Sequence, residues 1–161
     1  MEVLDLYDDN KKITGKTVVR GSKIEDGYHI LLSVIFIKNS DGKYLIQKSS
    51  SKKDNLYSLT GGHVLANENS KDAIIREVKE ELGLDIKDEL IIYVSSLTLN
   101  TPIFDIYYLE KDIDLNTLNI EKDEVSNVYF MDLEKIKKLI ENKNFKESHA
   151  KLFLKFINLK L

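Results

Sequence analysis

Apolar residues recur along this chain with two periods, and the switches between them divide it into strands and helices. Val3–Tyr7 alternates apolar and acidic positions, as a half-buried strand does, and Asp8–Lys12 follows as a polar turn. Leu31–Lys38 is β-branched and nearly continuous in its apolar content, which predicts a buried strand. Asn39–Gly42 supplies turn residues, and Tyr44–Lys48 reads as the returning strand. Ile91–Thr98 and Ile103–Glu110 form a second pair around Asn100, Thr101 and Pro102, and Val125–Met131 is a further strand.

Three stretches carry helical spacing. Ser70–Leu82 places Ile74, Val78 and Leu82 at i, i+4 and i+8, with Ile75 widening the stripe. Asn69 is its predicted N-cap, with Asp72 as the reciprocating capping-box residue, and Gly83 is its stop. Asp132–Glu141 sets Leu133, Ile136, Leu139 and Ile140 on one side. Ser148–Asn158 leads a stripe of Leu152, Phe156 and Leu159. Hairpins interspersed with helices predict an α/β layered fold with a mixed sheet. No repeat or flexible linker divides the chain, so one domain over residues 1–161 is expected, with an N-terminal strand extension over about 1–28.

Composition narrows the chemistry. The 161 residues are 42% hydrophobic and 32% charged, enough for a packed core under a charged surface. Cysteine is absent, which excludes disulfides, zinc–thiolate and iron–sulfur sites and a cysteine nucleophile. The first residues lack a basic segment followed by a long apolar run. The longest apolar run, Ile30–Ile37, falls far short of the ~20 helical residues that cross a bilayer. A cytoplasmic protein is therefore expected. A net charge of −3 argues against broad capture of nucleic acid.

Glu77, Glu80 and Glu81 fall at i, i+3 and i+4, within one sector of the first predicted helix. Like charges at that spacing destabilise an isolated helix by about 0.2–0.5 kcal/mol per pair. Solvent with Lys71, Arg76 and Lys79 could offset this, and so could a divalent cation, since hard Mg²⁺ takes carboxylates together with substrate phosphates.

The surrounding sequence favours the cation. From Gly62 to Leu84 the chain reads G-x5-E-x7-R-E-U-x-E-E-x-G-U, U being apolar, with Glu68, Arg76, Glu77, Glu80, Glu81 and Gly83 at the fixed positions. Such a pattern arises by chance on the order of once in 10⁶–10⁷ chains of this length. It resembles the Nudix box, the signature of the Nudix hydrolase family. That resemblance implies an α/β/α sandwich with a mixed sheet and a pyrophosphohydrolase dependent on Mg²⁺, or Mn²⁺. It implies that Glu77, Glu80, Glu81 and the carbonyl of Gly61 ligate the metal. Arg76 would orient carboxylates, with Glu68 as its partner. Val78, Leu82 and Leu84 would anchor the helix to the core.

Hydrolysis of a diphosphate linkage needs its phosphate charge neutralised and a proton taken from the attacking water. The family's base is often a glutamate beyond the box. Glu124, leading into the late strand, is the candidate here, with Glu121 and Asp123 as competitors. His63, next to the double glycine, is a candidate substrate contact.

The N-terminal half also resembles isopentenyl-diphosphate isomerase and its nearest hydrolases, through Leu4–Asp8, Tyr28–Ser33 and Gly61–His63. That resemblance makes His29 and His63 potential metal ligands. The isomerase's catalytic cysteine, however, falls where this chain has Gly61. The expected activity is hydrolysis of a nucleoside diphosphate derivative, a small-molecule partner, with no membrane partner. An isomerase-like enzyme and a silent nucleotide-binding module are the alternatives. The sequence leaves the substrate, its base and the option of a homodimer open. Tyr44, Tyr57, Phe104 and Tyr107 are candidate stacking residues, and Pro102 falls where members acting on ADP-ribose-type substrates can carry a proline.

Overall fold

The nearly continuous apolar run over residues 30–38 forms the central strand. In the computed structural model, which describes residues 1–159 and side chains as far as Ile157, this is β3 (Ile30–Lys38). β1 (Val3–Tyr7) and β2 (Ile13–Val19) precede it, pairing antiparallel as a separate hairpin. β4 (Tyr44–Ser49), β5 (Tyr57–Ser58) and β6 (Thr60–His63) follow, then α1 (Ser70–Leu82), β7 (Ile92–Thr98) and β8 (Pro102–Glu110). The described elements end with β9 (Val125–Met131), α2 (Leu133–Glu141) and α3 (Glu147–Leu159).

β3 runs parallel to β8 along its whole length, from Ile30 opposite Pro102 to Lys38 opposite Glu110. Its other edge is shared. β6 pairs antiparallel with the first half, Leu32 opposite His63 through Ile35 opposite Thr60, whereas β4 meets it only at Lys38 opposite Tyr44. β4 therefore splays away and takes β5 and β9 as partners. The gap left beside β6 becomes the floor of a cleft. The expected pairing of β7 with β8 is present, with a bulge between Tyr93 and Ser95.

Both faces of the sheet are covered, as the apolar run requires. Val34, Phe36, Phe104, Ile106 and Tyr108 pack with Ile136 of α2 and Leu152, Phe153 and Phe156 of α3. Phe36 stacks on Phe156 with centroids 4.0 Å apart. On the opposite face Ile35, Ile37, Tyr107 and Leu109 pack with Ile74, Val78 and Leu82 of α1. The result is the α/β/α sandwich with a mixed sheet that the sequence predicts. The place of Leu159 on the α3 stripe lies outside the described side chains.

Two local details differ from expectation. The Asn69 side chain caps α1 by accepting the Asp72 N–H at 2.8 Å, but the Asp72 carboxylate returns to Asn69 Nδ2 at 3.0 Å rather than to its backbone. Gly83 ends the helix at φ 69°, a left-handed conformation that favours glycine. β2 is a strand that no alternation announces: all but one of its residues are exposed, because it pairs only with β1. Buried contacts hold this hairpin to the rest of the protein. Lys11 Nζ reaches the buried Asp105 carboxylate at 2.7 Å, and Asp5 accepts the Asn67 N–H at 2.8 Å.

Candidate functional site

The double glycine lets strand and helix approach more closely than side chains permit. A Cβ on Gly61 would overlap the Ser33 carbonyl, and one on Gly62 would overlap the Glu77 carboxylate. β6 thus lies directly against the glutamate-bearing part of α1.

Arg76 organises that region. Its Nε and Nη2 bind the two Glu68 carboxylate oxygens at 2.9 and 3.0 Å, as expected for the pair. Nη1 donates to Glu77 Oε1 at 2.9 Å and to Glu80 Oε2 at 3.2 Å, and Nη2 also donates to the His63 carbonyl at 3.0 Å. One guanidinium therefore ties the loop before α1, strand β6 and two glutamates together. The Glu68 bonds, opposed by burial, raise the pKa of Arg76 further above its usual value.

The carboxylates are not equivalent. Burial pushes Glu77 up to about 7 against the opposing pull of Arg76. Glu81 is likewise pushed up to about 7 by burial, although Gln47 Nε2 donates to it at 3.0 Å. Gln47 is itself fixed by the Thr60 hydroxyl at 2.8 Å. Glu80 is the exposed member, its side chain 58% accessible.

A cleft of about 350 Å³ is lined by Gly61, Gly62, His63, Glu77, Glu80, Glu81, Glu121 and Glu124, together with Glu2 and Arg20, paired at 2.8 Å, and Lys53. It continues past His63 and Glu81 into an inner part lined by Leu32, Ser58, Leu59, Lys146 and His149. Every expected metal residue thus reaches one cleft, and Arg76 touches two of them. Burial, with Arg20 adding to it, drives the His63 imidazole down to about 4, so it lines the cleft as a neutral ring.

Of the three candidate bases, Glu124 lines both parts of the cleft and Glu121 only the outer one, whereas Asp123 lines neither and pairs with Lys52 at 2.6 Å. Glu124 stands 3.2 Å from Lys53 Nζ.

His29 does not join the site. Its Nε2 meets Asp9 at 2.7 Å and its Nδ1 the Thr101 carbonyl at 3.0 Å, so both ring nitrogens are occupied holding the hairpin to the sheet. The stacking candidates also stay out of both cleft linings: Tyr44 and Phe104 pack in the core under α2 and α3, Tyr57 pairs with Tyr129, and Tyr107 bonds Ser70 beside α1. Sequence reasoning missed Arg20, Gln47, Lys53, Lys146 and His149. Arg20 follows a strand that carries no buried periodicity, and the others have no motif to mark them.

The donor set suits a hard divalent cation: carboxylate and carbonyl oxygens, two of the carboxylates desolvated. Among the described residues no group of three or more His, Asp or Glu side chains is gathered as a finished metal shell. Arg76 draws Glu77 and Glu80 toward itself, and Glu80 is exposed enough to turn away from it.

Comparison with known proteins agrees with this geometry. The NUDIX domain model matches residues 27–156. An uncharacterized Nudix hydrolase of Listeria innocua is 34% identical over 90% of this chain and 88% of its own length. One from Clostridium acetobutylicum is 24% identical over 88% and 75%. Among solved structures, DR0079 from Deinococcus radiodurans superposes with a TM-score of 0.78 at 21% identity, covering 94% of this chain and 96% of that one. The NUDIX domain of Shewanella oneidensis NrtR, solved with ADP ribose, gives 0.62 at 15% identity over 84% and 88%. The chain belongs to the Nudix hydrolase family and is, by that membership, a pyrophosphohydrolase.

Proposed function

We propose that this protein uses Mg²⁺, with Mn²⁺ as a substitute, to hydrolyse the diphosphate linkage of a nucleoside diphosphate derivative. The observation that carries the reading is the pair of buried carboxylates, Glu77 and Glu81, lining one cleft with Glu80 and Gly61. Glu77, Glu80, Glu81 and the Gly61 carbonyl would hold the cation, which when bound neutralises phosphate charge and acidifies water.

The chain's own groups do the rest. Arg76 holds Glu77 and braces β6 through the His63 carbonyl, so the carboxylates are set before substrate arrives. Arg20 and Lys53, which line the same cleft, present positive charge to the diphosphate. Glu124 takes the proton of the attacking water. Residues 1–161 act as one unit in this reading, because the N-terminal hairpin supplies Arg20. Two fold relatives, a NUDIX domain complexed with ADP ribose and a C. elegans Ap4A hydrolase, suggest what to test.

The deciding experiment screens ADP-ribose, dinucleoside polyphosphates, nucleotide sugars and nucleoside triphosphates with Mg²⁺ for release of nucleoside monophosphate, phosphate or pyrophosphate. Turnover of at least one that stops in chelator is the expected result. Turnover undiminished by chelator, or none across the panel, would overturn the reading.

A further inference from the structure

The inner end of the cleft holds a buried polar group that the proposed reaction does not use. His149, on the first turn of α3, is only 6% exposed. Its Nδ1 accepts the Leu59 backbone N–H at 3.2 Å, which fixes the ring proton on Nε2. Among the described residues, Ser33 Oγ is the one buried side-chain atom sealed off without a hydrogen-bond partner. His149 Nε2, which bonds to none of the described residues, is therefore not sealed. The ring forms part of the cleft wall beside Leu32, Ser58 and Leu59. Burial, helped by the nearby Lys146 charge, holds the imidazole down to about 3, so it remains a neutral donor at every working pH.

We propose that His149 is a specificity residue whose Nε2–H donates to an uncharged acceptor, a carbonyl or hydroxyl oxygen or a ring nitrogen, on the organic group attached to the diphosphate. This rests on the hydrolase reading, which places the diphosphate at the glutamate end. The chemistry follows from what lines each end. Glu77, Glu80 and Glu121 line the outer part and not the inner one, Arg20 and Lys53 reach both, and the uncharged imidazole stands in the inner wall with Leu32 and Leu59. Among the described residues no aromatic ring other than His149 and His63 lines either part, so hydrogen bonding rather than stacking on Tyr or Phe selects the group. A substrate lacking the acceptor leaves a buried donor unpaired, and sites of that kind discriminate strongly.

Two substitutions separate recognition from structure. In His149→Asn the side-chain oxygen can still accept the Leu59 N–H, but nothing reaches the Nε2 position. In His149→Gln the amide reaches that position and can donate there. Binding is measured by calorimetry with Mg²⁺ for ADP-ribose, UDP-glucose, GDP-mannose and dATP, and for methylenediphosphonate, which has no organic group. For the panel member that wild type binds most tightly, His149→Asn should weaken binding about tenfold or more and His149→Gln should restore it to within about threefold. Methylenediphosphonate affinity should stay within about twofold in both variants. Equal losses for both kinds of ligand, no loss in His149→Asn, or a panel bound no better by wild type than methylenediphosphonate would each overturn the proposal. Selective binding lost in His149→Asn, without any hydrolysis by wild type, would keep this subsite and overturn the hydrolase reading alone.

Discussion

The carboxylate of Glu77 occupies the space that a side chain on Gly62 would need. The Glu77 carboxylate therefore keeps this position only while residue 62 has no Cβ. Gly62→Ala displaces the end of a flexible side chain, so stability should change by about 1 kcal/mol or less. The displaced group is a candidate metal ligand, and kcat/KM should fall by about 10²-fold or more. Gly61→Ala meets the Ser33 backbone oxygen instead and should lower stability as well. Thermal denaturation beside kinetics checks both. A fully active Gly62→Ala would remove Glu77 from the mechanism.

Glu80 is the exposed glutamate, held only by its 3.2 Å contact with Arg76 among the described residues. Glu80→Gln should leave the melting temperature nearly unchanged while kcat falls sharply, and raised Mg²⁺ should recover part of the loss. A variant that unfolds but keeps its activity per folded molecule would make Glu80 structural.

Glu81 predicts a dependence of stability on pH. Its folded pKa of about 7 lies above the ordinary carboxyl value of 4.5, so the fold favours the neutral carboxyl. Its contribution is complete below about 4.5 and is lost as pH rises through about 7. The groups facing it are Gln47, Glu77, Glu124 and Lys146. In chelator, Glu81→Gln should therefore be more stable than wild type at pH 8, by on the order of 1–3 kcal/mol, and the difference should vanish near pH 4. Mg²⁺ should raise wild-type stability at pH 8 and affect the variant less. Urea denaturation at several pH values measures this, and a variant equally destabilised at both ends would refute it.

The sequence made α1 and its chemistry legible because everything there is local. Asn69, the stripe of Ile74, Val78 and Leu82, Gly83 and the three glutamates all lie within one helix, whose period fixes their relative directions. The central strand was legible for a similar reason, its apolar run matching burial on both faces. β6 was not, since Thr60–His63 has no apolar alternation: it is selected for close approach to Glu77, not for burial. The rest of the cleft lining was hidden because it is assembled from distant segments. Arg20 arrives on the hairpin, Lys53 on the loop after β4, and His149 on α3, where its ring reads as an ordinary helix residue until Leu59 is seen to fix its proton.

Glu124 illustrates how the fold ranks candidates that a sequence leaves level. Glu121, Asp123 and Glu124 share one acidic stretch before β9. The Glu121 carboxylate accepts the Asp123 N–H at 3.1 Å, and Asp123 is paired with Lys52 outside the cleft. Glu124 faces the cleft with Lys53 as its neighbour, and its carbonyl, accepting the Ser50 N–H at 3.0 Å, ties this stretch to the loop that carries Lys53. A base must come within about 2.6–3.2 Å of the attacking water once substrate is bound. Glu124→Gln should therefore lower kcat by about 10²–10⁴ and flatten the acidic limb of the pH–rate profile, with metal affinity nearly unchanged. Glu121→Gln should do far less, and Asp123→Asn should be close to wild type. Lys53→Met removes a phosphate-facing charge but no proton acceptor, so its effect should fall on KM while kcat holds within a few-fold. If Glu124→Gln stays near wild type while Glu121→Gln is damaging, the base is Glu121. If all three variants are active, the proton acceptor belongs to α1, with Glu77 and Glu81 the next candidates.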